Sequence, residues 1–252
     1  MRAICPKCNS SHVSKKGVVY SKGYECNVQR YKCVTCNKQF QVPRDSPKVD
    51  LPKILLFDIE TAPMEVYVWG LYKQFIPHTN IIKDSKGEEK SWYVLSWAAK
   101  WLYDENVVSD IVTPEETKTR DDKRVLQSIW KLLDEADIVI GHNGDRFDLR
   151  KLNARFIDND IKPPSPFRTI DTLKVARREF AFVSYKQDYL TKHFKLEQKL
   201  STNFQLWVDC IHGNQEQLNK MEEYNRHDVI GLEEVYLKLR PYIKNHPNLG
   251  VL

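Results

Sequence analysis

The sequence predicts a mixed α/β domain preceded by a small cysteine-rich unit built around a metal. Three observations carry this. Five of the six cysteines lie in the first 36 residues, and four of them form two Cys-x-x-Cys pairs. A continuous apolar run, Ile54-Leu55-Leu56-Phe57, leads straight into Asp58-Ile59-Glu60. Beyond it, apolar runs of strand length alternate with stretches of helical spacing.

The cysteine-rich unit comes first. Cys5-Pro6-Lys7-Cys8 and Cys33-Val34-Thr35-Cys36 are separated by 24 residues, a little more than in most paired-knuckle sites. Four thiolates suit tetrahedral Zn²⁺, and a chain this short buries too little core to fold alone. A redox or merely buried set of thiols is the plainer alternative. Cys26 fits neither knuckle, and Cys210 reads as a packed core thiol. The boundaries expected are a zinc ribbon over 1–44, a proline-marked linker over 45–52 and an α/β domain over 53–252.

In the larger domain, Ile54 to Phe57 reads as a central strand buried on both faces. Val66 to Leu71 is a second strand candidate, and 77–91 a polar surface insertion. Trp92 to Leu102 and Val107 to Val112 are further strands. Asp121 to Glu135 places apolar residues at 125, 126, 129, 132 and 133, a helical spacing. Ala136 to Ile140 is another buried strand, closed by Gly141-His142-Asn143-Gly144, and a helix follows from about Phe147 to Asp158. Thr169 to Leu173 reads as a strand end passing into a helix. More helices are expected near 172–180, 187–195 and 215–240.

Charge is uneven. Residues 1–50 carry ten Lys/Arg against three Asp/Glu, a net +7, while the remainder carries −2. A basic front segment attracts phosphate backbones, although a solvated face has the same composition. No apolar run approaches the ~20 residues of a membrane span, and no signal peptide is recognisable at the N-terminus. A cytoplasmic location without membrane contact is therefore expected.

The chemistry concentrates in three short motifs. Asp58 and Glu60 are two apart on a strand and share a face. Paired carboxylates at a core's rim repel each other, and a hard divalent cation removes that cost. Asn143-Gly144-Asp145-Arg146-Phe147-Asp148 leaves a buried strand and opens a helix, at the strand end where open α/β sheets gather functional groups. Tyr224-Asn225-Arg226-His227-Asp228 puts Tyr224 and Asp228 four apart on one helix face. Taken singly, each motif is common in structural roles.

In order and spacing, the set resembles the DEDD 3′→5′ exonuclease superfamily, which includes the proofreading domains of family B DNA polymerases. Asp58-Ile59-Glu60-Thr61 matches its first motif, Asn143 to Asp148 its second, and Tyr224 to Asp228 its third. The position where the histidine branch carries His is Glu223, so the likeness is to the tyrosine branch. Thr169 to Leu173 is similar to an Asp-Thr-Leu element, in which Asp171 is structural. Tyr185 to Phe194 is similar to the helix preceding the third motif.

The resemblance implies an RNase H-like fold and phosphodiester hydrolysis with two Mg²⁺ or Mn²⁺ ions. Asp58, Glu60, Asp148 and Asp228 hold the ions, and Tyr224 orients the attacking water. Thr61, Asn143 and Phe147 grip the terminal nucleotide. DNA is expected ahead of RNA, with a separate polymerase or a replication or repair protein as a further partner. An exoribonuclease, or a non-catalytic accessory of transposition, are the alternatives. The front segment resembles zinc ribbons of insertion-element transposition proteins, on Cys5 to Cys8, Gly17, Arg30 to Cys33 and Cys36 to Phe40. That likeness implies one structural Zn²⁺ and nucleic-acid engagement. Lys15, Lys16, Lys22, Arg30, Lys32 and Lys38 would meet phosphates, and Tyr20, Tyr24 and Tyr31 would either stack on bases or form the ribbon's own small core.

Overall fold

The computed structural model describes residues 3–8, 10–23, 26–43, 52–196, 202–244 and 246. Tyr24 and all but the last residue of the expected linker lie outside the described residues. The chain divides into two compact units, Met1–Leu51 and Pro52–Leu252.

The first unit is an antiparallel sheet of β1 (Val13–Ser21), β2 (Cys26–Cys33) and β3 (Gln39–Pro43), in that order. The β1–β2 register slips between Lys15 and Val18, where Gly17 adopts a φ of +90° that a side chain would strain. Tyr31 stacks on Phe40 across β2 and β3, with ring centres 5.5 Å apart. Tyr31 thus belongs to the ribbon's own packing, while Tyr20 is exposed.

The second unit holds a five-stranded sheet. Its strands are β4 (Ile54–Thr61), β5 (Val94–Trp101), β6 (Val108–Ile111), β7 (Ile138–Gly141) and β8 (Arg168–Asp171), in the spatial order β6-β5-β4-β7-β8. β4 to β6 run antiparallel, and β7 and β8 run parallel to β4. The helices are α1 (Pro114–Thr119), α2 (Lys123–Glu135), α3 (Asp148–Asp158), α4 (Thr172–Glu179), α5 (Gln187–His193), α6 (Phe204–Ile211) and α7 (Gln215–Leu239).

The two faces of β4 bury different cores. Leu55, Phe57 and Ile59 pack with Val125, Leu126, Ile129 and Leu133 of α2 and with Leu152 and Phe156 of α3. Ile54 and Leu56 pack with Val229, Leu232, Val235 and Tyr236 of α7. Even-numbered residues of β4 therefore face α7, and the same alternation carries Asp58 and Glu60 to that side. A strand buried on both faces explains the unbroken apolar run that announced it.

Some expectations differ from the structure. Val66 to Leu71 forms no strand: its only ladder contact among the described residues is the single bridge Val66↔Ile81. β4 already has β5 on one side and β7 on the other, so no edge of it is left to pair. The helix α1 was not among the expected elements, although Thr113 and Glu116, which form a reciprocal capping box around Pro114, carry its signature in the sequence. α6 carries no side-chain cap to announce it. It stands between α5 and the helix of the third motif, so the Tyr185 to Phe194 segment does not lead directly into α7. Among the described residues, no helix is long and apolar enough to cross a membrane.

Candidate active site

The third motif lies on α7, whose first turn is capped by the Asn214 side chain, which accepts from the Glu216 and Gln217 amides. α7 packs across β4, β5 and β6. The side chains of Asp58 and Glu60 from β4 and Asp228 from α7 converge there, with carboxylate oxygens all within 4.8 Å of one another. Asp228 is buried, and the other two are partly exposed.

Neighbouring donors hold these carboxylates. Asn225 donates its side-chain amide to Asp58 Oδ2 at 2.7 Å, and Ser96 Oγ donates to Asn225 Oδ1 at 3.1 Å. Trp207 of α6 donates its indole N–H to Glu60 Oε2 at 3.2 Å. Gln187 of α5 donates to the backbone carbonyl of Asp228 at 2.7 Å.

Asp148 enters differently. β7 ends at Gly141, leaving the Ile59 amide of β4 without a ladder partner on that side, and Asp148 Oδ1 accepts from it at 3.1 Å. Burial pushes the Asp148 carboxyl up to about 7; the Ile59 amide and its own amide oppose this, and the neighbouring Asp171 charge adds to it. Asp148 does not join the 4.8 Å cluster of three but lines the same cavity.

That cavity measures about 680 Å³. Asp58, Glu60, Asp148 and Asp228 line it, as do the expected nucleotide contacts Asn143 and Phe147. Its lining includes neither Thr61 nor Tyr224. Tyr224 stands one turn before Asp228, its ring edge-on to Trp207 at 6.0 Å, and lines a separate cavity of about 360 Å³.

The turn after β7 is built for close approach. A Cβ on Gly144 would meet the Gly141 Cα at 3.2 Å, and Asn143 has a φ of 70°. Asp171 Oδ1 accepts from the Asn143 amide at 2.9 Å and from the Leu173 and Lys174 amides, which ties this turn to the start of α4. His142 bonds Thr172 Oγ1 and the Tyr185 carbonyl, both at 2.9 Å. Sequence reading passed over Asn225, Trp207, His142 and Gln187. Asn225 was findable: it shares a helix face with Asp228 three residues on, and a polar residue facing the core needs a partner there.

The donor set of this cavity suits a hard divalent cation, since the converging atoms are all carboxylate oxygens. In the first unit, Cys5, Cys8, Cys33 and Cys36 bring four sulfurs within 4.8 Å of one another, with Cys5–Cys36 and Cys8–Cys33 both at 3.6 Å. Burial opposes ionisation of Cys33, but the Cys36 amide, the Cys8 thiol and the Thr35 amide outweigh it and lower the thiol to about 6. Four soft donors at this spacing fit a tetrahedral metal site.

The model of the RNase H superfamily matches residues 99–240. No curated protein matches the chain. Among solved structures, the chain is similar to the family B DNA polymerase from the hyperthermophilic archaeon Pyrobaculum calidifontis, with a TM-score of 0.54 and 16% identity. The likeness covers 76% of this chain and 25% of that polymerase, so the chain spans about a quarter of the polymerase's length. It speaks for the fold alone. With more than half of its length matched by the family model, the chain belongs to the RNase H superfamily.

Proposed function

We propose that this protein is a 3′→5′ exonuclease that hydrolyses phosphodiester bonds at the ends of DNA strands. The observation that carries the reading is the convergence of Asp58, Glu60 and Asp228 within 4.8 Å, from a strand and a helix far apart in sequence. The site's membership of a superfamily fold and its motif order support it. A pair of Mg²⁺ or Mn²⁺ ions, held by Asp58, Glu60, Asp148 and Asp228, would supply Lewis-acid activation of water and charge neutralisation at the phosphate.

The chain's own residues do the rest. Asn225 and Trp207 fix the rotamers of Asp58 and Glu60, so the carboxylates need not reorganise. Asn143 and Phe147, on the cavity wall, position the terminal nucleotide, and the backbone of Thr61, next after Glu60 at the end of β4, contacts it. Tyr224 orients the attacking water by a hydrogen bond. Cys5, Cys8, Cys33 and Cys36 would hold one Zn²⁺, and the ribbon adds a basic surface for nucleic acid.

The test uses matched DNA and RNA strands, labelled at either end, in Mg²⁺, Mn²⁺ or EDTA. Products of 5′-labelled DNA should shorten stepwise, EDTA should stop the reaction, and Asp58→Ala and Asp228→Ala should abolish it without unfolding the chain. Internal cleavage by the wild-type protein overturns the polarity, cleavage in EDTA overturns the metal scheme, and preference for RNA overturns the substrate.

A further inference from the structure

We infer that residues 66–83 form a stacking arm for single-stranded nucleic acid, extending the binding surface beyond the carboxylate cavity. The inference rests on the nucleic-acid reading above. The arm leaves the carboxyl end of β4 just after Asp58 and Glu60. The loop after β7 and the first turn of α4, which follows β8 directly, leave the same end of the sheet and supply cavity wall, including His142, Asn143 and Leu173.

A clasp closes the arm's base. The Tyr67 amide donates to the Asn80 carbonyl at 2.9 Å, Asn80 Nδ2 donates back to the Tyr67 carbonyl at 3.0 Å, and Val66 bridges Ile81. Beyond the clasp the chain turns its apolar groups outward. Trp69 is 100% exposed, and Tyr72 and Phe75 are each 92% exposed. Isolated exposed apolar side chains are ordinary, but several large rings within seven residues mark a contact surface.

The composition chooses the partner. From Val66 to Lys83 there is no Asp or Glu, although the chain carries 34 of them. Lys73, His78 and Lys83 are its basic groups, set among Tyr67, Trp69, Tyr72 and Phe75. Rings interleaved with lysine and free of carboxylates suit stacked bases and their phosphates. Trp69 lies eight positions beyond Thr61, a span of at most about 28 Å, so the arm can meet a strand whose end lies in the cavity.

The experiment compares the full-length wild-type chain with a combined Trp69→Ala, Tyr72→Ala, Phe75→Ala variant. Anisotropy in Ca²⁺ measures affinity for fluorescein-labelled oligothymidylates of about 4 and about 16 nucleotides. Hydrolysis of the p-nitrophenyl ester of thymidylate in Mn²⁺ reads the cavity alone. The longer strand should bind the variant at least about 30-fold more weakly, with the shorter strand and the ester unaffected. A Trp69→Phe, Tyr72→Phe variant should keep wild-type affinity for the longer strand.

Undiminished binding of the longer strand by the triple variant overturns the arm. So does loss of binding by the phenylalanine variant, or a wild-type dimer that the triple variant dissolves at unchanged oligonucleotide affinity. A wild-type chain that binds neither strand removes the nucleic-acid reading itself, and the arm with it.

Discussion

Asn225 reaches Asp58 from α7 at 2.7 Å, and the orientation of its amide is forced. A carboxylate only accepts hydrogen bonds, so the amide nitrogen must face Asp58. Its oxygen then takes the hydroxyl of Ser96, one strand over on β5. Both Asn225 and Ser96 are fully buried, so neither group can turn to water instead.

This relay predicts a metal-binding phenotype for a residue that touches no metal. Asn225→Ala should weaken Mn²⁺ binding about 10–100-fold, the range typical of lost outer partners of a ligand. Ser96→Ala should do so less, because it frees the amide without removing it. Calorimetric Mn²⁺ titration of the folded variants measures both. Unchanged Mn²⁺ affinity in Asn225→Ala would mean that the Asn225 amide is not what holds Asp58 ready for the ion.

The carboxylates themselves were legible because strand alternation fixes which side a residue takes. Once Ile54 and Leu56 face α7, Asp58 and Glu60 must do the same. Asp228 was legible only through motif order, since helix spacing alone cannot say what α7 packs on. The arm after β4 was misread because Tyr67, Val68, Trp69 and Leu71 have strand-forming or apolar side chains. Local preference cannot reveal that both edges of β4 are occupied, a fact set by partners on β5 and β7 from 33 to 84 positions away. Asn225 and Trp207 were missed for a related reason. The helix-face pattern marks Asn225 as turned to the core, but not that its partner is Asp58, 167 residues away. Trp207 has no such local mark, and its carboxylate lies 147 residues away.

Asp148 should separate stability from chemistry. Its Oδ1 is what satisfies the Ile59 amide, so Asp148→Ala leaves a buried donor stranded and should cost about 1–3 kcal/mol. Asp148→Asn keeps an accepting oxygen and removes a charge that burial disfavours. It should therefore unfold at the wild-type denaturant midpoint or above, and yet lose hydrolysis. Urea melts beside nuclease assays test the pair of variants. Equal destabilisation by Ala and Asn would show that the Ile59 contact is not what Asp148 contributes to the fold.

Acid should loosen the second unit through two glutamates away from the cavity. Glu116 is held below its ordinary 4.5 by Arg124 and by the Thr113 amide of the capping box. Glu65 is also lowered: burial opposes this, but Lys90 and Arg120 beside it prevail. A folded-state value below the unfolded one gives stability that is complete above the unfolded value, about 4.5, and is lost as pH falls toward the folded one. The urea midpoint should thus drop below pH 4.5, and a Glu65→Gln, Glu116→Gln variant should be less stable at neutral pH with a flatter acid limb. An acid limb as steep as that of the wild type in this variant would assign the loss to other carboxylates.

The first unit should depend on metal for its fold. Among its described residues only Cys5, Val28 and Cys33 are buried, so two of the three core positions are the sulfur donors themselves. Hydrophobic burial on that scale cannot order a sheet of three short strands. A structural Zn²⁺ contributes about 10–16 kcal/mol in small peptides, more than enough to do so. The purified chain should therefore carry one zinc by atomic absorption, and Cys33→Ser should lose it. Amide resonances of Val13–Ser21 and Cys26–Cys33 should then collapse to unfolded positions, while those of Ile54–Thr61 and Gln215–Leu239 stay dispersed. Dispersed resonances for the first unit after exhaustive chelation would show that its strand pairing stands without the ion, and that the four sulfurs meet for another reason.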